Sequence, residues 1–218
     1  MSAQYFPPNA NAFAKWSVWG GAIFMALLLT ALVIHARTLN NKVGVPVEQP
    51  IGFQHSLHAG ELGIDCRYCH TSVEVAASAN VPPTETCMTC HSQIRVGTQQ
   101  LAGVYESWET DTPIQWNRVH DLADFVYFNH SAHINNGVGC AHCHGQVPQM
   151  AGIWKNAPLT MGWCLECHRN PEKFVRPREE VFNFAYEPPE DQLALGRELV
   201  AEYHINTNKL PQCSTCHR

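Results

Sequence analysis

Charge is scarce in this sequence. Only 15% of its 218 residues are Asp, Glu, Lys or Arg, and the net charge is −5 with histidine neutral. No run of basic residues occurs, so the chain offers no nucleic-acid surface. Glycine and proline number 14 each, and that many turn-formers argue against a core of layered long elements. No cysteine is left over: all ten stand in Cys-x-x-Cys pairs. One stretch, Trp16 to Ala36, has no formal charge at all.

What is present is a recurring pentad, Cys-x-x-Cys-His, at Cys66–Cys69–His70, Cys87–Cys90–His91, Cys140–Cys143–His144, Cys164–Cys167–His168 and Cys213–Cys216–His217. This is the attachment signature of c-type haem. Two thiols three residues apart can both reach one porphyrin edge as thioethers, and the following histidine becomes the proximal iron ligand. Zinc sites, disulfides and thioredoxin-like redox pairs also use Cys-x-x-Cys, but none requires a histidine after every second cysteine. With 13 histidines in 218 residues, five in five by chance is on the order of one in a million. Five covalently bound haem c groups are therefore expected.

Large apolar cofactors can replace the core that so irregular a chain lacks. The fold class expected is a multihaem cytochrome c: short helices and long loops wrapped around five haems, with little or no β-sheet, plus one N-terminal transmembrane helix. Haem propionates would make the assembled surface still more acidic, and a basic soluble cytochrome is an electrostatically reasonable partner.

Haem attachment takes place outside the energised membrane, so the chain must be exported. Residues 16–37 are long enough to span a bilayer, with Trp16 and Trp19 at the near interface and Arg37 and Lys42 at the far end. Ile34-His35-Ala36 is a poor signal-cleavage site because its −3 residue is not small. The sequence also opens on Met1, so a retained single-span anchor is expected. Residues 1–15 are then cytoplasmic, 38–50 form a linker, and 51–218 form a periplasmic haem domain at a bacterial inner membrane.

That domain contains an internal repeat. Phe53-x-His55-x-x-His58 precedes Cys66 and Cys87, and Phe128-x-His130-x-x-His133 precedes Cys140 and Cys164, at offsets of about 75 residues. Modules over 51–100 and 125–172, followed by a terminal haem over 190–218, are the simplest description. Pro82 to Thr86 reads as a helix entry carrying the second motif, and Pro188 to Asp191 opens a helix with Leu195, Leu199 and Tyr203 on one face. The aromatic-rich stretch 104–127 reads as haem packing first and partner surface second.

The occupants of the distal iron positions separate electron transfer from catalysis, because two strong ligands suit transfer and an open site suits substrate chemistry. His55, His58, His130 and His133 are the leading candidates, since a pair three apart on a helical turn shares one face. The fifth position lies among His120, His204, Met150 and Met161. A methionine there would raise that haem's potential. His142 sits inside a motif, points away from its own iron and could serve only a neighbour.

Phe53 to His58 with Gly63 to His70, Pro82 to His91, Phe125 to His130, and Met161 to Pro171 together resemble the pentahaem cytochrome c subunit of bacterial alternative complex III. The resemblance runs nearly the whole chain. It implies a membrane complex that oxidises quinol and passes electrons to a periplasmic cytochrome c or a terminal oxidase. Its other parts would be an iron–sulfur subunit related to molybdopterin oxidoreductases, polysulfide-reductase-like integral membrane subunits, and a monohaem cytochrome c. This chain would be an electron carrier with no catalytic residue of its own. One rival is an anchored multihaem quinol dehydrogenase feeding periplasmic reductases, which predicts an unusual axial position near the membrane. Another is an ammonia-forming nitrite reductase, which usually carries a Cys-x-x-Cys-Lys motif; all five motifs here end in histidine.

Overall fold

The computed structural model describes residues 6, 7 and 9–218, with backbone alone for 37–41. Residues 1–5 and 8 of the expected cytoplasmic segment lie outside the described residues. Two compact units emerge, one ending at Lys42 and the other spanning Val43–Arg218.

Among its described residues the first unit holds one helix, α1 (Ala10–Asn41). At 1.5 Å per residue its apolar part, Ala10–Ala36, extends about 40 Å, more than a hydrocarbon core requires. Its large apolar side chains, Phe13, Trp16, Phe24 and Leu29 among them, are exposed rather than folded inward. Within it the Thr30 hydroxyl donates to the Ala26 carbonyl, which removes a polar group from an apolar surface. Lys42 stops the helix in a left-handed conformation. The helix therefore takes in the first residues of the expected linker. The next ones run beside 153–155: the Gly44 amide donates to the Lys155 carbonyl and the Val47 amide to that of Ile153.

The second unit has short helices and no strand among the described residues, only isolated bridges such as Val126 with His217 and Val138 with Val175. Its α-helices are α2 (Cys66–Cys69), α3 (Thr84–His91), α4 (Ala102–Thr110), α5 (His130–Ile134), α6 (Cys140–His144), α7 (Met161–Arg169), α8 (Gln192–Glu202) and α9 (Cys213–Cys216). A π-helical turn covers Ser56–Glu61. Helices this short are not stable alone, so packing and caps must hold them. Asp65 caps α2 through the Arg67 amide, and Thr160 caps α7 through that of Trp163.

Buried apolar side chains form three small clusters instead of one core. Ile51, Met88 and Val104 seat α3 against α4; Val73, Ile134 and Val181 join the loop after α2 to α5; Val175, Leu199 and Tyr203 hold α8. The described residues are thus helical and strand-free, with one helix long and apolar enough to cross a membrane.

Candidate functional site

Every Cys-x-x-Cys pair lies on a helical turn, α2, α3, α6, α7 and α9 in order. Spacing of three on a helix turns both sulfurs to one face. None of the ten cysteines is disulfide-bonded. Among the described residues no group of three or more His, Cys, Asp and Glu side chains is placed to hold a metal ion directly. Burial pushes the thiols of Cys140 and Cys167 up to about 11 and that of Cys143 to about 12. Such sites penalise a thiolate, whereas a neutral thioether fits them.

The motifs follow one another in space in an order different from that in the chain. The Tyr68 hydroxyl of the first motif lies 2.8 Å from Thr89 Oγ1 of the second. The first and third motifs share an apolar cavity of about 1100 Å³, counting its solvent-open mouth, lined by Cys66, Cys69, His70, Cys140, Cys143 and His144. His142 of the third motif is 3.4 Å from Cys167 Sγ of the fourth. Cys216 of the fifth is near enough to Cys164 to help raise its thiol, after the larger effect of burial. The row therefore runs second, first, third, fourth, fifth.

The two Phe-x-His-x-x-His segments have the same internal geometry. Phe53 stacks on His58 at 4.4 Å and meets His55 edge-on at 4.9 Å; Phe128 stacks on His133 at 4.4 Å and meets His130 edge-on at 4.8 Å. One phenyl ring thus orients two imidazoles. The copies also brace each other: His130 and Ser131 amides donate to the carbonyls of Ala77 and Ala76, while the Ser56 amide donates to that of Met150.

Two imidazoles sharing one iron, each bonded at about 2 Å, have ring centroids about 6.3 Å apart. His58 and His91 lie 6.2 Å apart, His133 and His168 6.2 Å, and His130 and His144 6.3 Å. Each pair joins a histidine of a Phe-x-His-x-x-His segment to a motif histidine. His55 and His70 line the shared cavity, and His70 is the first of the charges that depress His55, after burial, to about 4.

Backbone carbonyls hold the outer nitrogens. Nδ1 of His70 donates to Asn80 at 2.7 Å, that of His91 to Ile94 at 3.3 Å, that of His168 to Leu210 at 3.0 Å and that of His217 to Phe125 at 3.1 Å. His58, His130 and His133 donate likewise to Gln54, Ala77 and Asn129. This fixes the tautomer that leaves Nε2 with a free lone pair, as a metal ligand needs. Burial, then His120, His130, His70 and His55, takes His144 down to about 3, so that ring is neutral.

The four contested residues are scattered. His120 is 4.3 Å from His144, too close for a metal between the rings, and its buried Nε2 has no hydrogen-bond partner. His204 is exposed with a left-handed backbone after α8. Met150 is fully buried, and Met161, 65% exposed, opens α7. Of the aromatic stretch, Tyr105 packs beside α3 and its hydroxyl donates to the His91 carbonyl, whereas Trp108, Phe125 and Tyr127 are exposed.

These features fit covalent haem c: sulfurs paired on helical faces, an apolar cavity, and imidazoles at iron spacing. Comparison with known proteins agrees. Residues 31–115 match the class III cytochrome C family, and residues 126–218 match cytochrome c7 and related cytochrome c. The multihaem cytochrome c subunit of a menaquinone reductase from Nitratidesulfovibrio vulgaris (strain Hildenborough) is 31% identical over 131 residues. That match covers 60% of this chain and 61% of the relative's length, less than two thirds of it.

Proposed function

We propose that residues 43–218 carry five haem c groups and form the electron-relay subunit of a quinone-linked membrane complex, anchored through α1. The three imidazole pairs at 6.2–6.3 Å carry this reading, because they supply two strong ligands per iron and leave no room for substrate. When bound, haem c supplies reversible one-electron exchange at a potential set by its axial ligands and surroundings.

The chain's own residues do the rest. The ten cysteines fix attachment, and His70, His91, His144, His168 and His217 are proximal. His58, His130 and His133 would hold haem together with His91, His144 and His168, and His55 with His70, whose cavity it shares. Carbonyls on Nδ1 hold the rings in one orientation, which limits rearrangement when charge changes. The apolar lining of the shared cavity, with Val73, Ile134 and Phe182 beside the motifs, suits a large apolar cofactor. A continuous row of motifs, from Cys87 to Cys213, suits relay between an upstream and a downstream partner.

The relative's role in a menaquinone reductase supports the link to quinone. The resemblance to the alternative complex III subunit suggests the direction: quinol oxidation in the membrane, with electrons passed from an iron–sulfur subunit toward a periplasmic cytochrome c or terminal oxidase. The haem-bearing unit then lies on the periplasmic side. The test is low-temperature EPR of the oxidised protein with haem counted as the pyridine haemochrome. Five haems, all low-spin, are expected. A high-spin signal would overturn the relay and favour the anchored quinol dehydrogenase.

A further inference from the structure

His142 occupies a spacer position of the third motif, where any residue would satisfy the attachment pattern. Its side chain nevertheless leaves its own motif and enters the fourth. The ring lies against Trp163 with centroids 5.3 Å apart and planes 19° apart, and against Phe174 at 4.8 Å. Its Nε2 is 3.4 Å from Cys167 Sγ, a partly buried contact. Trp163 directly precedes Cys164, so the imidazole is held by the same helix turn that bears the two sulfurs. With a free thiol either atom could donate. A thioether has no hydrogen, so once Cys167 is alkylated the ring must be the donor.

We propose that His142 is a positioning and tuning residue for the neighbouring haem: its Nε2–H donates to the Cys167 thioether and raises the reduction potential of the haem on α7. The proposal rests on the covalent attachment argued above. Donation to a sulfur withdraws electron density from the porphyrin edge and favours the more electron-rich reduced state, as hydrogen bonds to ligand sulfurs do in other iron sites. The third motif thereby sets a property of the fourth.

The test uses the full chain with haem attached. His142→Phe keeps an aromatic ring between Trp163 and Phe174 but removes the donor, whereas His142→Gln restores an N–H near the Nε2 position. Haem content by pyridine haemochrome and midpoint potentials by EPR-monitored redox titration are read for each. In H142F one potential of the five falls while the others hold, and H142Q returns it toward the parent value. Five unchanged potentials in H142F would overturn the proposal. If H142F fails to load a haem, H142Q is compared with H142N, whose shorter amide stops short of the sulfur; a higher potential in H142Q supports the proposal and equal potentials overturn it. A parent protein with fewer than five haems would instead count against the proposed function.

Discussion

Removing the Phe128 ring tests whether one phenyl holds two distal imidazoles. The ring makes two aromatic contacts, a stack on His133 at 4.4 Å and an edge contact on His130 at 4.8 Å. Such pairs contribute about 0.5–1.5 kcal/mol each beyond simple burial. The residue is 37% exposed, so roughly two thirds of a Phe burial term, about 1–2 kcal/mol, is also lost in Phe128→Ala. The expected cost is about 2–5 kcal/mol. For a unit of this size that lowers the melting midpoint by on the order of 10 °C, followed by Soret circular dichroism at a fixed scan rate. If His130 and His133 hold haem as proposed, the EPR lines of those haems should broaden, since both rings lose the surface that sets their orientation. Phe53→Ala is the internal control, because its two contacts match those of Phe128 within 0.1 Å in centroid distance. An unchanged midpoint with unchanged EPR lines in Phe128→Ala would refute the role of the phenyl ring.

Gly196→Ala places a methyl group against the Glu172 carbonyl oxygen and 2.6 Å from its carbon, where only backbone is available to move. Overpacking and weakened hydrogen bonds from Gln192 to Glu172 and Val175 outweigh the helix-propensity gain by about 2 kcal/mol, measured by urea titration; a more stable variant would mean α8 does not rest on 171–173. Asp65→Ala removes the α2 cap and costs about 1 kcal/mol. The Arg67 side chain holds the Asp65 carboxyl down to about 2, so this contribution is present above the ordinary carboxylate pKa and is lost as pH falls toward 2. The two proteins should therefore converge in stability on acidification, and a gap that widened at low pH would contradict the assignment. Because Asp65 is about half exposed, the effect is modest and weakens with salt.

Attachment chemistry is local, so it was legible in the sequence. Two sulfurs and an imidazole within five residues need only one helical turn to converge, whatever the rest of the chain does. The Phe-x-His-x-x-His repeat was equally legible, because recurrence in register survives without knowledge of contacts. A long apolar helix followed from length and apolarity alone, although it extends beyond 16–37 at both ends, since helical hydrogen bonding does not stop at a hydrocarbon boundary.

Other features depended on contacts between distant residues. Ala77, 53 positions away, holds His130, and Leu210, 42 positions away, holds His168. The order of the motifs in space departs from their order in the chain because each half of the repeat braces the other, which brings the first motif beside the third. His142 reads in sequence as a spacer, and only tertiary packing carries it onto Cys167. Residues 43–47, expected as linker, run beside 153–155 because their amides find carbonyl partners there. The sequence alone determined what this chain can attach, through short-range stereochemistry. Tertiary structure decided which imidazole faces which motif and in what order the sites follow, since only long-range closure brings those groups together.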